Sequence, residues 1–201
     1  MNSSDRDRLI GAARILLLAD GYDSVTLEAA AVRAELPPGA ALGLFAHRDD
    51  LVVAALDAHW SALKQHLERA FDPTLAPLDR LRRFFDAIYA FQEAQWSSIG
   101  CVVGCLLLRV GSAASRMGEA PRRRAAERLD ELHVYVEAAL RDAQERGQIR
   151  AGDLRAMAWT LIQYVEGALG MARIQNDLRT LQGMMENSLE FLGAQPPLLR
   201  N

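Results

Sequence analysis

Leu9-Ile-Gly-Ala-Ala-Arg-Ile-Leu-Leu-Leu-Ala-Asp-Gly-Tyr22 runs directly into Asp23-Ser-Val-Thr-Leu-Glu-Ala-Ala-Ala31, and then through Gly39 and Phe45 to Leu51. The apolar positions Leu9, Ile10, Ala12, Ala13, Leu16 and Leu17 recur at helical spacing and Gly21 supplies a stop. Thr26 stands at an N-cap position before a second helix, Leu27 to Ala34. A third helix fits Gly39 to Phe45. Three short helices closed by the start of a long fourth have the form of a helix-turn-helix head that reads DNA.

Outward from this stretch the chain keeps the same period. Leu51, Ala55, Leu56, Trp60, Leu63 and Leu67 predict a connecting helix over 47–71, too long to belong to the head alone. Asp72-Pro73 and Pro77 punctuate the chain. A fifth helix then runs from Leu78 to near Trp96, and a short apolar sixth from Gly100 to about Ser112. Pro121 opens a seventh that reaches Arg146. Gly147 is a stop and Asp153 an N-cap for an eighth helix ending near Ile174, with a ninth from about Leu178 to Leu192. No alternating strand pattern or internal repeat is present. The expected fold is all-α with about nine helices: a head at 1–46, a helical body at 47–195 and a tail at 196–201.

The chain has 201 residues, 50% of them apolar, and a net charge of -3. Such a length can bury a substantial core. No apolar run reaches the roughly 18 residues that cross a bilayer, and Met1-Asn-Ser-Ser-Asp-Arg-Asp-Arg8 lacks the apolar centre of a signal peptide. These features predict a cytoplasmic protein with no membrane partner. The two cysteines, Cys101 and Cys105, fit a reducing compartment. Residues 1–50 hold five arginines against eight acids, so the head taken alone is acidic. That counts against tight nonspecific DNA binding, because phosphate neutralisation supplies most of that affinity.

Through Leu9, Ala12, Ala13, Leu17, Gly21-Tyr22, Thr26, Ala31, Ala34, Gly39, Phe45, Arg48 and Leu51 the amino-terminal part resembles the head of the TetR family of one-component transcriptional regulators. Gly104-Cys-Leu-Leu107, Ala138-Ala-Leu-Arg-Asp-Ala143, Gly147-Gln-Ile-Arg150 and Glu166-Gly-Ala-Leu169 extend the resemblance over nearly the whole chain. It implies a homodimer that binds operator DNA as a repressor and is released by a small effector. The third helix of such a head enters the major groove. Here that stretch departs from the family: Leu42 replaces a tyrosine, Leu44 a frequent histidine, Glu35 the turn glycine, and Pro37 and Pro38 replace polar residues. No hydrogen-bonding side chain lies between Leu36 and Ala46, so direct readout of base edges is largely unavailable. Thymine-methyl contact and close backbone approach remain, at Pro38, Gly39, Ala40, Leu42 and Gly43, with phosphate contacts from Thr26, Arg33, His47 and Arg48. The alternative is a dimer that keeps the fold without recognising DNA.

The resemblance further implies an effector pocket within the body and pairing of the eighth and ninth helices between subunits. The pocket candidates are Trp60, Leu63, Phe84, Ile88, Phe91, Cys101, Cys105, Trp159 and Gln163. Their mostly apolar character fits a hydrophobic or aromatic effector; equally, aromatics at this spacing fill ordinary cores. For the dimer interface, Gly167 and Gly170 permit close helix approach, and Ile162, Val165, Leu169, Met184, Met185 and Leu189 offer apolar contact. The alternative reading places these residues in a monomer core. Ser112 and Ser115 lack nucleophile-elbow spacing, and His47, His59, His66 and His133 form no metal-binding pattern. Neither an enzyme nor a cofactor nor a metal is expected. Cys101 and Cys105, four apart, are expected on one face of the sixth helix, as core filling or as a thiol sensor.

Overall fold

The computed structural model describes residues 3–37, 39–114 and 118–194. Among them are eight α-helices and no strand: α1 (Ser3–Ala19), α2 (Leu27–Arg33), α3 (Arg48–Ala70), α4 (Pro77–Ile99), α5 (Leu106–Ala114), α6 (Glu119–Glu145), α7 (Leu154–Gln175) and α8 (Met184–Phe191). Short 3-10 turns lie at Tyr22–Ser24 and Leu178–Leu181. The all-α expectation holds. The chain divides into two compact units, Met1–Lys64 with Cys105–Leu129 and Gln65–Gly104 with Asp130–Asn201. The first takes in more than the expected 1–46 head, because α5 and the start of α6 belong to it.

In the first unit Leu9, Ala13 and Leu17 of α1 are fully buried with Val25, Ala30, Leu51, Val52, Ala55 and Leu56. The chain leaves α1 at Gly21, whose φ of 96° suits glycine, with the Asp20 and Gly21 N–H groups both donating to Leu16 O. Thr26 caps α2 as its position predicts: its hydroxyl oxygen accepts the Ala29 N–H at 3.0 Å, an interaction worth about 1 kcal/mol. α5 packs on α1 and on the 22–24 turn. Arg109 on α5 donates from Nη1 to Leu18 O at 3.0 Å and so satisfies a carbonyl at the end of α1.

Two features of the head differ from expectation. Gly39–Phe45 forms no α-helix but a succession of turns, in which Ala40, Leu42 and Leu44 donate to the third residue back and Phe45 N–H, bonding Ala41 O at 2.9 Å, closes an α-type turn. Pro37 and Pro38 bring no N–H donors, and Gly39 (φ 85°) and Gly43 are poor helix formers. Buried Ala41 and Phe45 anchor the segment; Pro38 lies outside the described residues. The turn after α2 places Glu35 at φ 54°, a left-handed conformation that an ordinary side chain adopts at a cost of about 1–2 kcal/mol. Arg8 steadies that turn by donating to Ala34 O and Glu35 O.

In the second unit Phe84 packs against Phe71 and Phe85, with ring centroids 5.4 and 5.8 Å apart. Arg80 is 4% exposed, and its guanidinium is held by Leu75 O, Pro73 O and the Asp142 carboxylate. Asp153 caps α7 by accepting the Arg155 and Ala156 N–H groups. The sixth helix expected from Gly100 begins only at Leu106. Gly100 and Gly104 both have positive φ, and side chains distant in sequence bind the backbone between them. Buried Gln92 accepts from Val103 and Gly104 N–H and donates to Gly104 O; Asn176 accepts from Val102 N–H; Arg173 donates to Val103 O. Cys101 therefore lies in a loop and Cys105 just before α5, so they share no helix face. The expected ninth helix is likewise broken: Gly183, at φ 76°, separates Leu178–Leu181 from α8.

The strained turn gives a prediction. Glu35→Gly removes the left-handed penalty and should stabilise the protein by about 1 kcal/mol, raising Tm by roughly 2–4 °C in a thermal melt. An unchanged or lower Tm contradicts the strain.

Candidate functional site

The head is closed by a small cluster in the first unit. Tyr22, 3% exposed, donates its phenolic hydroxyl to Asp49 Oδ1 at 2.8 Å and so ties the 22–24 turn to the first turn of α3. Arg48 lies over the Tyr22 ring, its guanidinium carbon 4.0 Å from the centroid, and donates from Nη2 to Tyr22 O. Asp23 Oδ1 stands 3.9 Å from the same guanidinium. Burial, together with the Asp49 hydrogen bond, raises the Tyr22 phenol above its ordinary value, so it remains a donor throughout the physiological range. Gly118 completes the cluster: a side-chain carbon there would stand 2.6 Å from Asp49 Oδ2 and 2.7 Å from the Tyr22 hydroxyl, so glycine alone fits without rearrangement.

The DNA-contact candidates lie in the same unit. Thr26, Arg33, Gly39, Leu42, Gly43 and His47 are exposed, Leu42 at 62%, while Ala40 is half-buried. The Thr26 hydroxyl uses its oxygen on Ala29 N–H and keeps its proton as a donor. Asp50 accepts the His47 N–H at 3.0 Å, which closes the amino end of α3. Arg48, by contrast, has its guanidinium engaged on Tyr22 and Asp23. Further along α3, Asp57 receives Arg128 at 2.7 Å and also Arg124, both from α6. Burial pushes the Asp57 carboxyl up, but the hydrogen bonds from Arg128 and Arg124 outweigh it and hold it below its usual value.

The effector candidates divide between the two units. Trp60, Leu63 and Cys105 belong to the first unit, and Phe84, Ile88, Phe91, Cys101, Trp159 and Gln163 to the second. Phe84 is core, Phe91 and Gln163 are exposed, and Trp159 stacks on His133 with centroids 4.7 Å apart. A cavity of about 290 Å³ in the second unit is lined instead by Phe85, Tyr89, Met184 and Met185, with Arg82, Asp86 and Glu186 adding charge. None of the nine candidates lines it.

The dimer-face candidates differ in exposure. Ile162, Val165, Leu169, Met184 and Met185 are each at most 7% exposed within a single subunit, so they fill its core. Gly167 is exposed, and Gly170 and Leu189 are half-buried. The exposed side of α7 is a different stripe: Thr160, Tyr164, Gly167, Met171 and Ile174, spaced by four and three residues, with Met171 48% and Ile174 79% exposed. α7 is therefore apolar on both its buried and its exposed side.

Residues 77–187 match the sequence profile described as the tetracyclin repressor-like C-terminal domain. The chain belongs to the TetR family. Among solved structures it is similar to a regulatory protein TetR from Rhodobacter sphaeroides (TM-score 0.80, 26% identity, 92% of this chain and 97% of that one). The reduced form of E. coli NemR (TM-score 0.81, 22% identity, 96% and 100%) and a TetR-family regulator from Agrobacterium tumefaciens (0.81, 20%, 95% and 98%) share the fold. No curated protein matches the sequence significantly. Like these regulators, this TetR-family chain is all-helical, and no helix among its described residues is long and apolar enough to cross a membrane.

One buried group gives a pH prediction. Burial, with the nearby Arg14 charge as a lesser cause, lowers the half-buried His59 imidazole on α3 to about 4. The unfolded chain, with an ordinary value near 6.5, binds the proton first as pH falls. His59 therefore adds stability that is complete above about pH 6.5 and is lost as pH drops toward 4. Urea melts of wild type and His59→Gln should diverge across that window by about 2 kcal/mol, the full shift being discounted for the residual exposure of the ring. Parallel pH profiles contradict this account.

Proposed function

We propose that this TetR-family protein is a ligand-responsive transcriptional repressor that binds operator DNA as a homodimer in the cytoplasm. The observation that carries the reading is the closed head, in which the Tyr22–Asp49 bond fixes α3 against the 22–24 turn while Thr26, Arg33, Gly39, Leu42, Gly43 and His47 stay exposed. Thr26, Arg33 and His47 meet phosphates, and the Gly39–Gly43 turns approach the base edges by backbone and by the Leu42 side chain. Ala40 borders that approach. Arg48 serves this interface by holding Tyr22. Recognition of this kind favours thymine methyls and groove shape over hydrogen-bonded readout.

Two copies pair through the exposed α7 stripe, where Gly167 permits close approach and Met171 and Ile174 supply apolar contact, with Gly170 and Leu189 at its margin. The effector is a small hydrophobic or aromatic molecule. Its candidate contacts in the second unit are Phe84, Ile88, Phe91, Cys101, Trp159 and Gln163. Such a ligand releases DNA only by binding the DNA-incompetent state better, a coupling typically of about 1–3 kcal/mol. The single continuous helix α3 joins the head to the remainder of the body and is the element whose tilt an effector biases.

Fluorescence-anisotropy titration against DNA from upstream of its own gene and a scrambled control tests the reading. We expect preference for the upstream DNA by at least about a thousandfold, reduced on Thr26→Ala or Arg33→Ala. Equal, weak binding to both favours a fold-retaining dimer that has lost DNA recognition, the reading that the apolar Leu36–Ala46 segment supports. For the subunit contact, Met171→Glu buries an unpaired charge and should raise the dimer dissociation constant by at least about a hundredfold in sedimentation equilibrium. An unchanged constant removes the α7 stripe from the interface.

A further inference from the structure

The charge of the DNA-binding part depends on where its boundary lies. Residues 1–50 alone are acidic, five arginines against eight acids. The compact unit that contains them also holds residues 51–64 and 105–129, which add seven basic side chains against only Asp57, Glu119 and Glu127. As a unit it carries twelve basic and eleven acidic groups, whereas the other unit carries eleven against fifteen. Half of the net gain comes from the start of α6, which sets four arginines against Glu119 and Glu127 and opens Glu119-Ala-Pro-Arg-Arg-Arg124.

The arginines of this segment have different duties. Arg124 and Arg128 hold Asp57, and Arg124 also pairs with Glu127. Arg122 is exposed, and Arg123 is 66% exposed with only a 3.9 Å approach to Glu127, a distance of little energetic consequence at a surface. Their place follows from the Gly118 contact. Arg122 N–H lies 3.5 Å from Gly118 O, and Gly118 sits against Tyr22 and Asp49, one residue from Arg48 and two from His47. Acidic side chains adjoin these residues: Asp49 stands against Gly118, Asp23 beside Arg48 and Asp50 beside His47, and Glu119 follows Gly118 in sequence. Asp23 faces Arg48, Asp49 accepts from Tyr22 and Asp50 caps α3, which leaves Glu119 alone on the α6 turn itself.

We propose that Arg122 and Arg123 are phosphate-binding residues, which extend the DNA surface from the head onto the first turns of α6 and supply the positive charge that the head lacks. This rests on the DNA-binding reading above. The contacts carry no base preference, so they act on any duplex, and they raise affinity and its salt dependence together.

The test is the salt dependence of binding to a random-sequence duplex of about 30 base pairs, for wild type, Arg122→Gln/Arg123→Gln and the control Arg82→Gln/Arg83→Gln. The control makes the same charge change on exposed positions of α4 in the other unit. Each lost phosphate contact should lower the slope of log K against log salt by about 0.9. We expect the α6 variant to bind more weakly and to lose about two such increments per subunit engaged, while the control keeps the wild-type slope. A wild-type slope in the α6 variant, or equal losses in both variants, overturns the proposal and leaves the DNA-binding reading standing. Absence of wild-type binding to both this duplex and its own upstream DNA at low salt overturns both.

Discussion

The hydrogen bond from Tyr22 to Asp49 is the constraint around which the amino-terminal unit is arranged. It joins the turn after α1 to the first turn of the longest element of the head, and every neighbour is shaped by it. Arg48 must lie flat over the Tyr22 ring and give its guanidinium to the backbone beneath. Gly118 must lack a side chain because the phenol and carboxylate occupy its space. α6 consequently starts at the head rather than away from it. Tyr22 is buried and Asp49 half-buried, so loss of the bond would leave the phenol short of a partner, a larger penalty than the bond's own net contribution of about 1 kcal/mol.

A second set of polar side chains governs the other unit. Gln92, Arg173 and Asn176 bind the backbone of residues 100–104, a segment apolar enough in sequence to read as helix. Two positive-φ glycines and this tertiary pairing override the helical period, and the pairing comes from residues distant in sequence. The same logic accounts for Gly39–Phe45. Its apolar composition is compatible with a helix, but two prolines and two glycines leave too few donors and too much backbone freedom to sustain one.

What was legible in the sequence was therefore what short-range chemistry decides. Helical period located α1, α2 and the long helices, and Thr26, Asp153, Gly21 and Gly147 marked their ends as caps and stops. The position of Glu35 in place of a turn glycine was also visible, and the structure shows its consequence as a left-handed φ. The orientation of a helix that is apolar on two sides was not legible. On α7 one side holds Ile162, Val165 and Leu169 in the core while the other exposes Met171 and Ile174, and only three-dimensional packing distinguishes them. The scattering of the effector candidates over two units has the same origin, since apolar residues at helical spacing identify a buried face without saying what it is buried against.

The Gly39–Phe45 segment of this TetR-family chain is short, turned and mostly apolar, and on the proposed reading it faces the DNA groove while positive charge from elsewhere in the same unit supplies the electrostatic attraction. The central claim is that such a head, in a twofold dimer, still selects a sequence. The most direct measurement is selection of bound duplexes from a random DNA pool by the full-length protein, followed by sequencing. The account predicts enrichment of an inverted repeat rich in A·T steps, with half-sites separated by about one helical turn, 34–36 Å, or a multiple of it. A pool that remains random after successive rounds, or that enriches a single half-site without symmetry, contradicts it.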